Sequence, residues 1–210
     1  MRSKNMTLYM IRHGESIRNL QPHLIGQEPN EPLSFKGEQQ AKLLGEYLRD
    51  HLVKFNTINV SPYKRALDTC LIACEQFGGA PDTIVPELRE YSAGDMKDMD
   101  RNKVMTPDVI SEMTAKGMSF KWPNGESLYE VEARAAGWLE RICMTANEKD
   151  VIAFFSHGMT IKCLVHYLMK FEQRLTWRLK LDNTGICKFE MKDGLWYIHT
   201  LNDTRHLEHG

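Results

Sequence analysis

The sequence predicts an α/β fold: a three-layer sandwich in which a mostly parallel central sheet is flanked by helices, with a hairpin added near the C-terminal end. Three observations carry this reading. Short apolar or β-branched runs bounded by turn residues recur along the 210 residues, stretches with apolar residues at helical spacing lie between them, and an Asp-Gly pair separates the last two runs.

Taken in order, residues 7–11 form the first apolar run and are expected to be a core strand. Ser34 then stands as an N-cap before a pattern in which Ala41, Leu44, Tyr47, Leu48, His51 and Leu52 recur on one face. A second core strand is expected over 57–60, a helix over about 63–77, and a third core strand over 83–85. Residues 92–124 read as an irregular, lid-like insertion. A helix over about 127–146 follows, with Leu128, Val131, Ala135, Trp138, Leu139 and Ile142 on one side. The fourth core strand is expected over 151–155, and a helix carrying Ile161, Leu164, Val165 and Leu168 opens directly after His157. Two final strands, 186–191 and 195–201, flank Lys192-Asp193-Gly194. No linker, repeat or low-complexity tract interrupts the pattern, so residues 1–210 are expected to form one domain.

Composition narrows the classes of function. The chain is 42% hydrophobic and 26% charged with a formal net charge of −1. No global field therefore favours nucleic acid or an anionic membrane, and any anion site must be local. No apolar run approaches the roughly 20 residues of a membrane span. The polar first five residues lead straight into a strand, so no signal peptide is expected. Five cysteines (Cys70, Cys74, Cys143, Cys163, Cys187) lack Cys-x-x-Cys spacing and read as thiols in a reducing, cytoplasmic setting. The oligomeric state is left open, a homodimer included.

The chemistry-bearing residues cluster at predicted strand ends. Arg12-His13-Gly14-Glu15-Ser16 follows the first strand, joining a cation and an imidazole in a loop. An arginine can grip phosphate oxygens bidentately, and a neutral imidazole can attack phosphorus. Ser61-Pro62-Tyr63-Lys64-Arg65 follows the second strand and offers Arg65 from the first turn of a helix. Leu88-Arg89-Glu90 follows the third and presents a carboxylate. Ser156-His157-Gly158 follows the fourth and opens a helix, where free N–H groups favour an anion. His23, His51, His166, His199, His206 and His209 have no comparable context and read as surface or core residues, and no metal-ligand spacing stands out.

This constellation closely resembles the histidine phosphatase superfamily, in its phosphoglycerate-mutase-like branch. The matching motifs run in the family's order: Arg12-His13-Gly14-Glu15-Ser16 with Asn19, Gly26, Leu33-Ser34-x-x-Gly37-x-x-Gln40-Ala41, Ser61-Pro62-x-x-Arg65-Ala66-x-x-Thr69, Leu88-x-Glu90-x-x-x-Gly94-Asp95, Gly125-Glu126-Ser127, Ser156-His157-Gly158 and Asp182-Asn183-Thr184. The resemblance implies a phosphatase acting on a small phosphate ester without cofactor or metal. His13 would be the nucleophile. Arg12, Arg65 and His157 would hold the phosphate, with Asn19, Gly26 and the Gly158 backbone at the substrate. Glu90 would protonate the leaving oxygen and then activate water. Neither nucleic acid nor membrane is an expected partner.

The chain also departs from the family pattern. After Gly94-Asp95, Met96-Lys97-Asp98-Met99 replaces the usual aromatic-acid-Gly continuation, in an insertion that also carries Met105, Met113 and Met118. Arg101 is the sole arginine of that insertion, whereas a phosphoglycerate mutase of this family would carry an adjacent pair there. A phosphatase is therefore expected, with a mutase, or a weakly active ligand-binding member, as the alternatives.

Overall fold

Why four short strands can share one sheet is visible in how their side chains alternate. In the computed structural model, which describes residues 5–208, β1 (Met6–Arg12) sends Leu8 and Met10 to one face and Tyr9 and Ile11 to the other. Apolar residues on both faces require cover on both sides. After α1 (Phe35–Asp50), β2 (Thr57–Val60), α2 (Lys64–Phe77) and β3 (Thr83–Ile84) come two short helices, α3 (Arg101–Val104) and α4 (Pro107–Lys116). The chain continues through α5 (Leu128–Thr145), β4 (Val151–Ser156), α6 (Gly158–Met169), α7 (Leu175–Arg178), β5 (Ile186–Lys192) and β6 (Leu195–Asp203).

The sheet order is β3-β2-β4-β1-β5-β6. The first four strands in that order are parallel, while β5 and β6 run antiparallel, β5 against β1 and β6 against β5. Residues of α5 and α6 (Ala135, Trp138, Leu139, Ile161, Leu164 and Val165) join Leu8, Met10, Ile152 and Phe154 in one core. On the other face, Leu44 and Leu48 of α1 and Ala66, Cys70, Ala73 and Cys74 of α2 join Tyr9, Ile11, Val60 and Phe155. The three-layer architecture and the terminal hairpin are as the sequence predicts.

Caps explain the helix starts. Ser34 Oγ accepts from Gly37 N at 3.1 Å ahead of α1. Ahead of α5, Ser127 Oγ accepts from Glu130 N at 3.2 Å while the Glu130 carboxylate accepts from Ser127 N at 2.7 Å. Cys70, Cys74, Cys163 and Cys187 are buried and Cys143 is half-buried.

Two expectations need correction. Residues 83–85 are not a core strand: β3 is two exposed residues at the sheet edge, and only Val85 beyond them is buried. The cause is Pro86, which has no N–H to extend the ladder and instead opens a 3-10 turn. Residues 92–124 are not uniformly irregular either. Asp100 caps α3 through Asn102 N, and Thr106 with Pro107 starts α4, so local capping chemistry makes helices there despite weak periodicity. Within this segment Phe120 and Trp122 pack with Ile25 and Ala93, against Met96, Met105 and Met113, as a small separate core. Met118 is buried in another cluster, while Met99 is exposed. Helix α7 was not foreseen; four residues carry too little period to read. His209 lies outside the described residues.

Candidate active site

Four parallel strands release their chains at the same sheet edge, the place where open α/β sheets hold ligands. Arg12 is the last residue of β1 and pairs in register with Ser156, the last of β4; Ser61 follows β2 and Glu90 follows the turn after β3. Residues far apart in sequence therefore meet. The loop after β1 seats tightly on the first turn of α1: a Cβ on Gly14 would stand 2.5 Å from the Gly37 carbonyl oxygen, so only glycine fits. Gly14 N donates to Thr69 Oγ1 at 2.9 Å, which fastens the same loop to α2.

His13 is fully buried. Its Nδ1 lies 2.6 Å from the Gly14 carbonyl oxygen, an acceptor, so Nδ1 carries the proton and Nε2 keeps its lone pair. Arg65 Nε donates to that Nε2 at 3.2 Å. Burial first, and then the charges of Arg65 and Arg12, hold the imidazole well below its ordinary pKa of 6.5. His13 is thus neutral at pH 7. His157 is also fully buried, its ring centre 5.2 Å from that of His13, and is kept neutral by burial and by Arg65. Its Nε2 meets Ser61 Oγ at 2.7 Å. Tyr63 shields the pair, edge-on to His157 and with the Arg65 guanidinium over its ring at 5.2 Å.

Both guanidiniums are anchored by carbonyl groups: Arg12 Nη1 donates to Leu181 O at 2.5 Å and Arg65 Nη1 to Glu28 O at 2.8 Å. Neither forms an ion pair among the described residues. Burial depresses the Arg65 pKa to about 10 and lowers that of Arg12, with the Glu90 charge opposing both shifts. Three buried donors or ring atoms here have no partner among the described residues: Arg12 Nε, Arg65 Nη2 and His157 Nδ1. Buried polar atoms are rarely left unmatched. Two desolvated cations with open donors suit a dianion that accepts several hydrogen bonds at once.

Glu90 reaches this site from the loop after β3. Its Oε1 accepts from Tyr91 N at 2.9 Å and Thr160 N at 3.2 Å, and Oε2 accepts from Met159 N at 3.3 Å. The carboxyl group therefore sits on the first turn of α6, just after Gly158, and takes up N–H groups that have no partner within the helix. Arg134 of α5 fixes the loop by donating to the carbonyls of Glu87 (2.5 Å) and Glu90 (3.3 Å). Arg134 is itself held by Glu126, which also meets Arg89 at 2.7 Å. Burial raises the Glu126 pKa, but the bonds and charges of Arg134 and Arg89 outweigh it and leave the group ionised.

A cavity of about 530 Å³ opens beside Glu90. Asn19, Gly26 and Glu90 line it, whereas Arg12, His13, Arg65, His157 and Gly158 do not. Glu90 thus links the cavity to the buried cluster. Asn19 Oδ1 is occupied by Ser16 N (3.0 Å) and Asn183 Nδ2 (3.2 Å), which fixes its amide at the cavity wall. Gly26 takes φ +75° and gives its carbonyl to Arg18 Nε at 3.0 Å, so it shapes the wall through backbone.

Sequence reasoning did not single out Ser61, Asn183, Arg134 or Arg18. The first two lie within quoted motifs, and Asn183 Nδ2 donates to the His13 carbonyl at 3.0 Å. Arg134 and Arg18 carry no such signal, since an arginine on a helix or turn is ordinarily a solvated surface group.

The profile of the histidine phosphatase superfamily (branch 1) matches residues 8–204. The chain belongs to that superfamily. A Citrobacter koseri relative named probable phosphoglycerate mutase GpmB is 26% identical over 214 residues, covering 97% of this chain and 95% of the relative. Among solved structures, a mutant phosphoserine phosphatase from Entamoeba histolytica in complex with phosphoserine superposes with a TM-score of 0.82 at 25% identity, over 96% of this chain and 99% of that one. Phosphoglycerate mutase from Bacillus anthracis superposes with a TM-score of 0.79 at 21% identity, over 98% and 96% of the two chains, a likeness of fold alone. Phosphatases and mutases both stand among the relatives of this histidine phosphatase superfamily member, so family membership supports a phosphatase or mutase-like enzyme. No helix of the described residues is long and apolar enough to cross a membrane.

Proposed function

We propose that this chain hydrolyses small phosphomonoesters through a phosphohistidine on His13, without metal or cofactor. The observation that carries the reading is the set of unmatched buried atoms, Arg12 Nε, Arg65 Nη2 and His157 Nδ1, around a neutral His13 whose Nε2 keeps its lone pair. Without an anion, Arg65 Nε occupies that lone pair. A phosphate draws the guanidinium onto its own oxygens and frees Nε2 to attack.

His13 Nε2 bonds to phosphorus while the ester P–O bond breaks and its electron pair leaves with the oxygen. Glu90 gives that oxygen a proton; Oε2, which accepts only one backbone N–H, is the edge left to carry it. The alcohol departs and water attacks phosphorus. The P–N bond breaks back to His13, and Glu90 takes the water's proton. Arg12, Arg65 and His157 stabilise the equatorial oxygens, which is most of what phosphoryl transfer asks of a protein. The mutase reading needs a clamp for a substrate carboxylate, and the segment after Glu90 supplies Arg101 as its single arginine.

The test is to quench turnover of a labelled ester in chelator and locate the label. Acid-labile, base-stable label on the wild type and none on His13→Ala supports the reading. Equal label on both removes His13 from the chemistry. Supplying 3-phosphoglycerate with a trace of 2,3-bisphosphoglycerate should release phosphate; rapid formation of 2-phosphoglycerate would establish the mutase instead.

A further inference from the structure

Everything that distinguishes one phosphomonoester from another lies outside the phosphate, and the 530 Å³ cavity beside Glu90 is where that part of the substrate must fit. Its volume is that of a site for a ligand much larger than a three-carbon acid. Its charged groups are engaged or peripheral. Arg18, though buried, donates to the carbonyls of Gly26 (3.0 Å) and Ile25 (3.4 Å) and pairs with Asp98. Arg101 is exposed and gives its Nε to the Pro22 carbonyl at 3.3 Å. A charge at the solvent rim clamps a carboxylate weakly.

Beyond Glu90 and the amides of Asn19, Gln21 and Gln27, what remains of the wall is apolar. Tyr91 and Trp122 supply flat aromatic surface, and Met105, Met113 and Met159 supply flexible, polarisable surface that adapts to an irregular guest. A carboxylate placed among them would lose its water without gaining a cation. One polar atom in this wall is unmatched: the buried side-chain oxygen of Gln27 has no hydrogen-bond partner among the described residues. A hydroxyl on the guest would satisfy it.

We infer that the preferred leaving group is an uncharged, mainly apolar alkyl or aryl alcohol carrying a second hydroxyl, rather than a small carboxylic acid such as glycerate or serine. This rests on the phosphatase reading above and extends it to a substrate class. It also parts this chain from the phosphoserine-binding structure it resembles. The adjacent cavity discriminates by apolar contact, with Gln27 reading the hydroxyl.

The test compares alkyl esters of similar intrinsic reactivity on the full-length protein: 2-hydroxy-3-phenylpropyl phosphate, 3-phenylpropyl phosphate, 3-phosphoglycerate and O-phosphoserine. The hydroxylated phenyl ester should exceed both acids in kcat/KM by at least about tenfold, the scale on which apolar pockets discriminate. Removing its hydroxyl should cost several-fold, and Gln27→Leu should abolish that difference. Met113→Ala should lower kcat/KM for the phenyl esters about tenfold and that for the acids far less. Met105→Ala serves if the first variant folds poorly, and the wild-type comparison needs neither. Equal or better turnover of the acids, or equal losses for both classes in the variants, overturns this inference while leaving the phosphatase reading intact. Failure to turn over any ester, with no label on His13, overturns both.

Discussion

Burying an imidazole between two guanidiniums decides its protonation, and the consequence extends to stability. His13 and His157 are held well below their ordinary pKa by burial and neighbouring arginine charge, and burial lowers His206 to about 4. All three regain a pKa near 6.5 on unfolding. Between these limits the unfolded chain binds more protons than the folded one, so stability rises with pH there. The full contribution is therefore present above about pH 6.5 and is lost as pH falls toward 4. Each histidine adds a slope of up to about 1.4 kcal/mol per pH unit. Urea midpoints should fall clearly from pH 7.5 to pH 5, with net proton uptake on unfolding at pH 5.5. A midpoint that does not move over that interval would show that these imidazoles titrate normally in the fold.

At the scale of elements, the site depends on how α5 and α6 hold the loop after β3. The first N–H groups of α6 receive the Glu90 carboxylate, and Thr160 Oγ1 donates to the Arg89 carbonyl at 2.7 Å. Arg134 of α5 ties the same loop to Glu126. If Glu90 acts as acid, Glu90→Gln should slow alkyl phosphates by at least about a hundredfold, within the usual range for a general acid, and nitrophenyl phosphate far less. Arg134 reaches the loop through the Glu87 and Glu90 carbonyls and would act only by positioning. Arg134→Met leaves the half-buried Glu126 with Arg89 alone, so it should cost about 3 kcal/mol of stability. It should also reproduce, in weaker form, the same bias against alkyl esters. A stability loss with equal slowing of both ester types would make Arg134 merely structural.

Across the whole molecule, the segment after Glu90 closes one side of the cavity and is fastened to the loop after β1. Arg18, six residues after Arg12, pairs with Asp98, and Lys97 meets Glu28 at 2.6 Å. Glu28 also gives its carbonyl to Arg65, so the segment that shapes the cavity and the arginine proposed to hold phosphate share an anchor. Asp98 is half exposed, so the pair contributes at most about 1 kcal/mol. Asp98→Asn should therefore raise KM for esters with large leaving groups less than about fivefold, with the inhibition constant of inorganic phosphate and the turnover of nitrophenyl phosphate unchanged. A change in phosphate inhibition of the same size would place Asp98 in the phosphate site rather than in the cavity wall.

Strand and helix periodicity in the sequence by itself determined the layered α/β fold and the positions of Arg12, His13, Arg65, Glu90 and His157 at strand ends. Those signals are local: alternation in residues 7–11, the Ser34 and Ser127 caps, and the Asp193-Gly194 turn each act within a few residues. Tertiary structure alone decided that β3 is an exposed edge, that the segment 92–124 builds its own core around Trp122, and that Arg134 and Arg18 leave the surface for the site. It also decided the chemistry of His13. Neutrality there comes first from lost water and then from the Arg65 charge brought in by the first turn of α2, beside that of the neighbouring Arg12, and desolvation and the approach of α2 are properties of the assembled molecule that no local pattern encodes.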